Sequence, residues 1–316
     1  MYCSGYWPFI SSTMLSDKLK SYLHFHVIVF IWGFTAVLGA LISIDAVPLV
    51  WYRMLLASGF IFLWIWWKKK NMRVAPKKLL ILIIAGIIIA LHWLTFFGAI
   101  KVSNVSITLA LLSTGAFFTS ILEPLFYKRK FVGYEIIFGL IVMAGLYIIF
   151  KVETEYTLGI ILGLISAFLS AVFTMINGKL IAHAAPSVIS FYELFTGVIA
   201  ISLYLAFVTV SGDGSTGFNL EFFSLSSSDW IYLLILASVC TAYAFIAAVA
   251  VMRHLSPYTI MLTINLEPVY GIVLAFLVFG SKEQMNPQFY YGAALILATV
   301  ILNGYLKTKK KINKLS

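Results

Sequence analysis

Long runs of apolar residues, separated by very short polar segments, occupy most of this chain. Ten of the runs are close to the roughly 20 residues that an α-helix needs to cross a bilayer. The pattern therefore predicts an all-α, polytopic membrane protein with ten transmembrane helices. Their predicted bounds are 25–43, 48–67, 79–100, 105–127, 132–150, 157–179, 187–210, 229–252, 257–279 and 287–306.

The composition indicates the same class of protein. Of the 316 residues, 62% are hydrophobic and only 11% are charged, whereas soluble domains are about half apolar and about a quarter charged. The two cysteines, Cys3 and Cys240, lie far apart and predict neither a disulfide framework nor a metal site. No phosphate-binding loop, metalloprotease signature or catalytic acid pair lies in a span. We therefore expect no cofactor, no metal and no enzymatic activity.

The basic residues set the expected orientation. The formal net charge is +10, but Lys and Arg lie in short loops, and no basic stripe with interleaved aromatic residues suggests a nucleic-acid partner. If the N-terminus is cytoplasmic, only Lys101, Lys151 and Lys282 lie outside, and Arg53 lies within a span. Because basic residues favour the cytoplasmic side, both termini are predicted to be cytoplasmic.

An internal repeat divides the chain. The run that ends at Asn104, with the span after it, resembles the run that ends at Ser256, with the span after that. Phe138-Gly139-Leu140-Ile141 resembles Tyr291-Gly292-Ala293-Ala294, and Pro48 before the second span matches Pro186 before the seventh. Since each repeat has an odd number of spans, the repeats must lie in opposite orientations, and such inverted repeats build a midplane site that can open to either side. The predicted organisation is a cytoplasmic segment 1–24, in which Met14 is a more typical start, two five-helix repeats 25–150 and 157–306, and a basic cytoplasmic tail 307–316.

Several short motifs occur in a characteristic order: Trp32-Gly33, then Arg53 after Pro48, then Pro268, then Phe279-Gly280-Ser281-Lys282-Glu283 and Gly292. In this order the chain resembles the drug/metabolite transporter superfamily, and within it the EamA family, over nearly its whole length. The resemblance implies a transporter, often an exporter, of small metabolites such as amino acids. It implies a multi-pass protein of the cell membrane, here expected to be the bacterial inner membrane. It also implies that the first four helices of each half line a central cavity.

Two positions depart from the family pattern. Where the second half keeps Glu283, the first half has Lys128-Arg129-Lys130, and Ala298 stands where a second glycine is usual.

One carboxylate lies near the middle of a span. Glu267 stands beside Pro268, which has no N–H to donate and is expected to bend or break the helix there. Charges inside spans are costly and usually face a cavity or a partner. The repeat alignment places Glu267 opposite Gly115. Arg53 and His92 fall in the same band of depth, and a zwitterion such as an amino acid needs both signs of charge. Arg53 is therefore expected to meet a carboxylate, and Glu267 an ammonium group or a coupling proton, unless the two form a structural pair.

Five further residues are candidates. The His92 imidazole can change charge near neutral pH, which suits proton coupling, although it could simply bond a neighbouring helix. Trp93 could form an aromatic wall or pack in the core. Glu193 lies close to the inverted counterpart of Arg53 and could serve a gate or extend to the interface. Asn265 and Tyr243 could contact substrate or join helices.

These observations predict a secondary transporter, expected to be an exporter, of a small metabolite by alternating access, with proton antiport as a hypothesis. The alternative is a facilitator or drug exporter with an apolar cavity. A membrane-embedded enzyme acting on lipids is a further alternative, which the missing catalytic residues disfavour. The expected partners are a small-molecule substrate and the lipid bilayer, and Gly139 and Gly145 leave a homodimer open.

Overall fold

The computed structural model describes residues 9–128, 133–211 and 217–312, and within these ranges the chain is helical with no strand. Short 3₁₀ turns occur at Thr154–Tyr156 and Gly280–Glu283, and a π-helical segment at Ser238–Tyr243. The α-helices are α1 (Phe9–Leu41), α2 (Ala46–Trp67), α3 (Pro76–Val102), α4 (Val105–Leu112), α5 (Gly115–Tyr127), α6 (Gly133–Val152), α7 (Thr157–Leu180), α8 (Pro186–Val210), α9 (Leu220–Phe223), α10 (Ser227–Ala237), α11 (Ala244–Val251), α12 (Pro257–Ile264), α13 (Glu267–Phe279) and α14 (Pro287–Ile312).

The all-α membrane fold is confirmed. Within the described part of the chain, eight helical stretches are long and apolar enough to cross a bilayer. The fifth predicted span lies on α6, whose apolar part is Ile137–Lys151, and the tenth lies on α14. Many large side chains point outward, such as Phe207 at 72% exposure and Leu277 at 74%. Such a surface suits acyl chains better than water.

The first and the last helix extend beyond the predicted spans. The helix α1 begins at Phe9 and runs without a break through residues 9–24 into the first predicted span. Neither Gly nor Pro interrupts that stretch, so nothing in the local sequence ends the helix. The last helix likewise runs to Ile312, through most of the predicted tail 307–316.

Two predicted spans are broken in the middle. The ninth stops at Ile264 and resumes at Glu267, because Pro268 has no N–H to donate to the Ile264 carbonyl. The fourth stops at Leu112 and resumes at Gly115, where the Thr114 hydroxyl donates to the Leu111 carbonyl at 2.7 Å. The second helix of each broken span therefore begins at Gly115 and at Glu267. The repeat alignment places these two positions opposite each other.

A pair of tyrosines shows the inverted symmetry at the level of atoms. Tyr52 on α2 donates to the carbonyl of Phe222, which follows α8, at 3.2 Å. Tyr192 on α8 donates to the carbonyl of Met72, which follows α2, at 3.1 Å. Each tyrosine thus holds the segment that follows the equivalent helix of the other half. Exchanged contacts of this kind are what two inverted repeats should make.

The helices α6 and α14 pack together through glycines. A Cβ at Gly145 would lie 3.0 Å from the Gly292 carbonyl oxygen, and a Cβ at Gly292 would lie 2.9 Å from the Gly145 carbonyl oxygen. Gly139 lies against the Phe117 ring of α5. Small residues let membrane helices approach closely. Gly139 and Gly145 therefore serve packing within one chain, and they give no support to a homodimer.

Gly292→Ile is expected to lower the free energy of unfolding by about 1–3 kcal/mol, because the side chain overpacks a backbone contact. Thermal or denaturant unfolding of purified protein in detergent measures this. Gly59→Ala is the matched control, since Gly59 is exposed on α2 and no atom lies within 4 Å of its Cβ position. Equal unfolding free energies for the two variants would contradict the packing role.

Candidate functional site

A cavity of about 80 Å³ lies between the two halves. Since about 10–15 Å³ on this measure is enough for one water, the cavity has room for several waters. Its walls come from α1 to α4 and from α7 and α11 to α13, while no described lining residue belongs to α6, α8 or α14. The walls combine aromatic, aliphatic and polar side chains. The aromatic side chains are Trp32, Trp93, Phe96, Phe173 and Phe245, and the polar ones are Thr35, Arg53, His92, Ser170, Thr174 and Glu267.

Glu267 reaches the cavity because of the helix break. It is the first residue of α13, and it is only 6% exposed. Within the described ranges, no protein group donates a hydrogen bond to its carboxylate and no cation lies within 4.0 Å. The free N–H groups and dipole at the start of α13 favour a negative charge there. The carboxylate is therefore available to a ligand in the cavity.

Arg53 is held in one orientation from two sides. Its side chain is 2% exposed, and Nε donates to Thr241 Oγ1 at 2.7 Å. The guanidinium carbon lies 3.8 Å from the centre of the Trp93 ring, which is a cation–π contact. Nη1 is buried and has no partner in the described residues. Nη1 is therefore available to donate a hydrogen bond to a ligand. Among the described atoms, Arg53 and Glu267 do not form the structural ion pair that was the alternative.

The π-helical segment supplies the partner of Arg53. The wider turn between Ser238 and Tyr243 contains Thr241, which donates onward to the Leu236 carbonyl at 2.7 Å. The Cys240 carbonyl accepts from the Trp32 indole at 3.2 Å. Single π-helical turns are rare and are frequent at functional sites. The hydropathy of this stretch predicts an ordinary helix. The sign of its special role in the sequence is Thr241, a small polar residue in an apolar run.

His92 joins the two halves. Its Nδ1 lies 2.9 Å from both the carbonyl oxygen and the hydroxyl of Ser166 on α7, and that hydroxyl donates to the His92 carbonyl at 3.2 Å. The hydroxyl proton is thus already used, and we assign Nδ1–H as donor to the Ser166 carbonyl. Nε2 then remains an acceptor. Ser166 is a partner that the sequence did not indicate.

The remaining predicted residues are divided between the cavity and other places. Trp93 lines the cavity. Asn265, at 1% exposure, lies in the helix break before Pro268, and neither atom of its amide has a partner in the described structure. Tyr243 lies outside the cavity, because it is 47% exposed and its hydroxyl bonds Nε2 of His24 at 2.8 Å. Glu193 is fully buried and does not line the cavity either.

Buried carboxylates tie together the helix ends that are predicted to face outside. Asp229 at the start of α10 accepts from the backbone N–H of Ser43 at 2.7 Å and from its hydroxyl at 2.6 Å. Glu283 accepts from the backbone N–H groups of Val105 and Ser106 at 3.1 and 2.9 Å, so it caps α4. Where the second half has Glu283, the first half has Lys128-Arg129-Lys130, whose side chains can only donate hydrogen bonds. The acidic cap is therefore a feature of the second half.

Paired helical halves, broken helices and a cavity lined by Arg53 and Glu267 are features of a multi-pass integral membrane transporter. The chain belongs to the EamA-like transporter family, whose model matches residues 19–151 and 157–305. The predicted family is confirmed, and the two matched ranges fall on the two halves.

The chain is similar to other membrane transporters over most of its length. An uncharacterized transporter of Archaeoglobus fulgidus is 24% identical over 304 residues, which are 92% of this chain and 98% of that protein. An uncharacterized transporter of Clostridium kluyveri is 24% identical over 259 residues, or 78% of each chain. One solved crystal structure superimposes with a TM-score of 0.63 at 13% identity, covering 90% of this chain and 97% of its own. That likeness supports the fold.

Proposed function

We propose that this protein exports a small amino-acid-like metabolite across the bacterial inner membrane. The observation that carries the proposal is that Arg53 and Glu267 line one cavity without pairing with each other. Burying charged side chains in the membrane without a counter-charge costs free energy, and such residues usually have a function. A zwitterion supplies a carboxylate for Arg53 and an ammonium group for Glu267.

The walls suit a substrate with an apolar side chain. Phe173 and Phe245 stack with ring centres 5.5 Å apart, and Trp93 meets Phe245 edge-on at 5.8 Å. An aliphatic or aromatic side chain would bury apolar surface against these rings. Very polar or multiply charged metabolites would leave groups unsatisfied there.

The proposed transport cycle is alternating access. The breaks at Leu112 and Ile264 allow the two parts of each helix to move separately. Proton antiport is part of the proposal, because Glu267 and the Nε2 of His92 can each accept a proton in the cavity. Export would then draw on the inward proton gradient.

The aromatic walls also favour a second candidate, a facilitator or drug exporter with an apolar cavity. In that case Arg53 and Glu267 would only be structural. Flux would then persist when both charges are neutralised together in Arg53→Met, Glu267→Gln. We propose the transporter of zwitterions over this candidate because an apolar substrate gives the unused Nη1 of Arg53 no partner.

The experiment that tests the proposal is uptake of labelled amino acids and small metabolites into proteoliposomes, with and without a pH gradient. Saturable uptake of an apolar amino acid such as leucine that the pH gradient accelerates would support it. Uptake only of apolar cations or uncharged drugs would favour the second candidate. Indifference to the pH gradient would remove the antiport step and keep the substrate site.

A further inference from the structure

A second polar cluster lies apart from the cavity and has no role in the transport cycle proposed above. It consists of Glu193 and Ser190 on α8 and Asn177 on α7, each at 0% exposure. Asn177 Nδ2 donates to Glu193 Oε2 over 3.4 Å. Three atoms of the cluster are buried with no hydrogen-bond partner in the described structure, namely Glu193 Oε1, Asn177 Oδ1 and Ser190 Oγ.

No cation in the described part of the chain lies within 4.0 Å of the Glu193 carboxylate. The helix α8 packs against α2, α3 and α11, and α11 has no titratable residue. The buried titratable groups of the neighbours are engaged elsewhere, Arg53 with Thr241 and His92 with Ser166. Among the remaining basic groups nearby, Lys70 donates to Ser187 at 3.2 Å, Lys101 donates to the Ile42 carbonyl, Lys179 lies over the Phe126 and Tyr127 rings, Lys77 is exposed and Lys78 is partly exposed.

An ionised carboxylate in this place would be buried without a counter-charge, which costs several kcal/mol. The unpartnered atoms show the same problem in terms of hydrogen bonds. Glu193 Oε1 and Asn177 Oδ1 belong to two side chains already in contact, and in the ionised form both atoms can only accept. The arrangement lacks one donor between the two side chains.

We propose that Glu193 is a proton-binding site, neutral in this conformation and paired with Asn177. A carboxylic acid and a primary amide form a cyclic pair, in which Oε1–H of Glu193 donates to Oδ1 of Asn177 while Nδ2–H of Asn177 donates to Oε2 of Glu193. The proton satisfies Glu193 Oε1 and Asn177 Oδ1 at once. A hard metal cation fits less well, because it takes about six oxygen ligands and the three side chains provide at most four oxygens.

The place of Glu193 in the repeat links this proton to conformation. Trp51-Tyr52-Arg53 and Phe191-Tyr192-Glu193 are equivalent segments, and the mirrored contacts of Tyr52 and Tyr192 carry the equivalence. The backbone of Glu193 lies against Gly86, where a Cβ would come within 2.5 Å of the Glu193 carbonyl oxygen. When alternating access separates α8 from α3, water reaches the acid and the proton can leave. This step rests on the proposed function, and the proton site itself does not.

Infrared difference spectroscopy of the purified protein tests the site without any substrate. We expect a carbonyl stretch of a protonated carboxylic acid near neutral pH that is lost in Glu193→Gln. In Asn177→Leu the band should shift, because the acid loses its amide partner. Glu267→Gln is the control and should keep the band. A spectrum in which no such band depends on Glu193 would overturn the proposal, because the carboxylate would then be ionised.

Transport of labelled leucine in proteoliposomes tests the link to the proton gradient. Glu193→Gln keeps the shape of the neutral acid and can pair with Asn177, so we expect it to fold and to exchange leucine without a gradient. The acceleration by a pH gradient should be smaller than in the wild type, because one proton-binding group is lost while Glu267 and His92 remain. Coupling through Glu193 would be overturned if the pH gradient accelerated leucine transport equally in the variant and the wild type, or if it did not accelerate transport by the wild type. It would also be overturned if leucine transport by the wild type depended on sodium and the variant lost that dependence. Absence of leucine transport would contradict the proposed function and leave the spectroscopic result decisive for the proton site.

Discussion

Glu267→Gln is expected to lose leucine transport while the protein unfolds at an unchanged or higher temperature. Glutamine keeps the size of the side chain and removes the charge that would bind an ammonium group. A hydrogen bond to a charged group contributes about 1.5–3 kcal/mol, so affinity should fall roughly 10- to 100-fold. Since no described protein group donates to this carboxylate, the neutral variant loses no structural contact.

Counterflow in proteoliposomes, together with thermal unfolding in detergent, measures both parts of this prediction. Glu155→Gln is the matched control, because Glu155 lies exposed in the 3₁₀ turn Thr154–Tyr156. It should behave like the wild type in both assays. Normal saturable transport by Glu267→Gln would move the substrate site away from the helix break.

Arg53→Lys is expected to reduce leucine transport by at least about tenfold, even though the positive charge remains. Lysine cannot reproduce the bond from Nε to Thr241 and the flat stack on Trp93 together, so the charge is no longer held at one place. Losing a charge-assisted contact of about 1.5 kcal/mol accounts for a tenfold fall in affinity. The effect should be mainly on the concentration dependence of uptake.

Initial rates over a range of leucine concentrations measure this effect. Arg73→Lys is the same exchange at an exposed loop position and should leave the rates unchanged. The double variant Arg53→Met, Glu267→Gln separates a binding role from a structural one. If it transports as well as the wild type, the two charges only balance each other; we expect it to be inactive.

The sequence was enough to predict the helices and the two halves. It also predicted that Arg53, His92 and Glu267 lie at a similar depth in the membrane. Apolar length and loop charge are local properties, and the bilayer converts them directly into spans and depth. The break beside Pro268 was readable for the same reason, because the missing N–H belongs to one residue. The ends of α1 and α14 were not, because hydropathy detects the bilayer and not the end of a helix.

Only the tertiary structure decided which side chains meet. A small rotation of a helix about its axis carries a residue from the cavity to the lipid, and packing of the whole bundle sets that rotation. Tyr243 therefore lies outward beside His24, although its span lines the cavity with Phe245. The π-helical turn that brings Thr241 to Arg53, and the contact of Glu193 with Asn177, arise between distant parts of the chain. The sequence alone determined the class of protein, its helices and the candidate charges; the packing of those helices decided their partners.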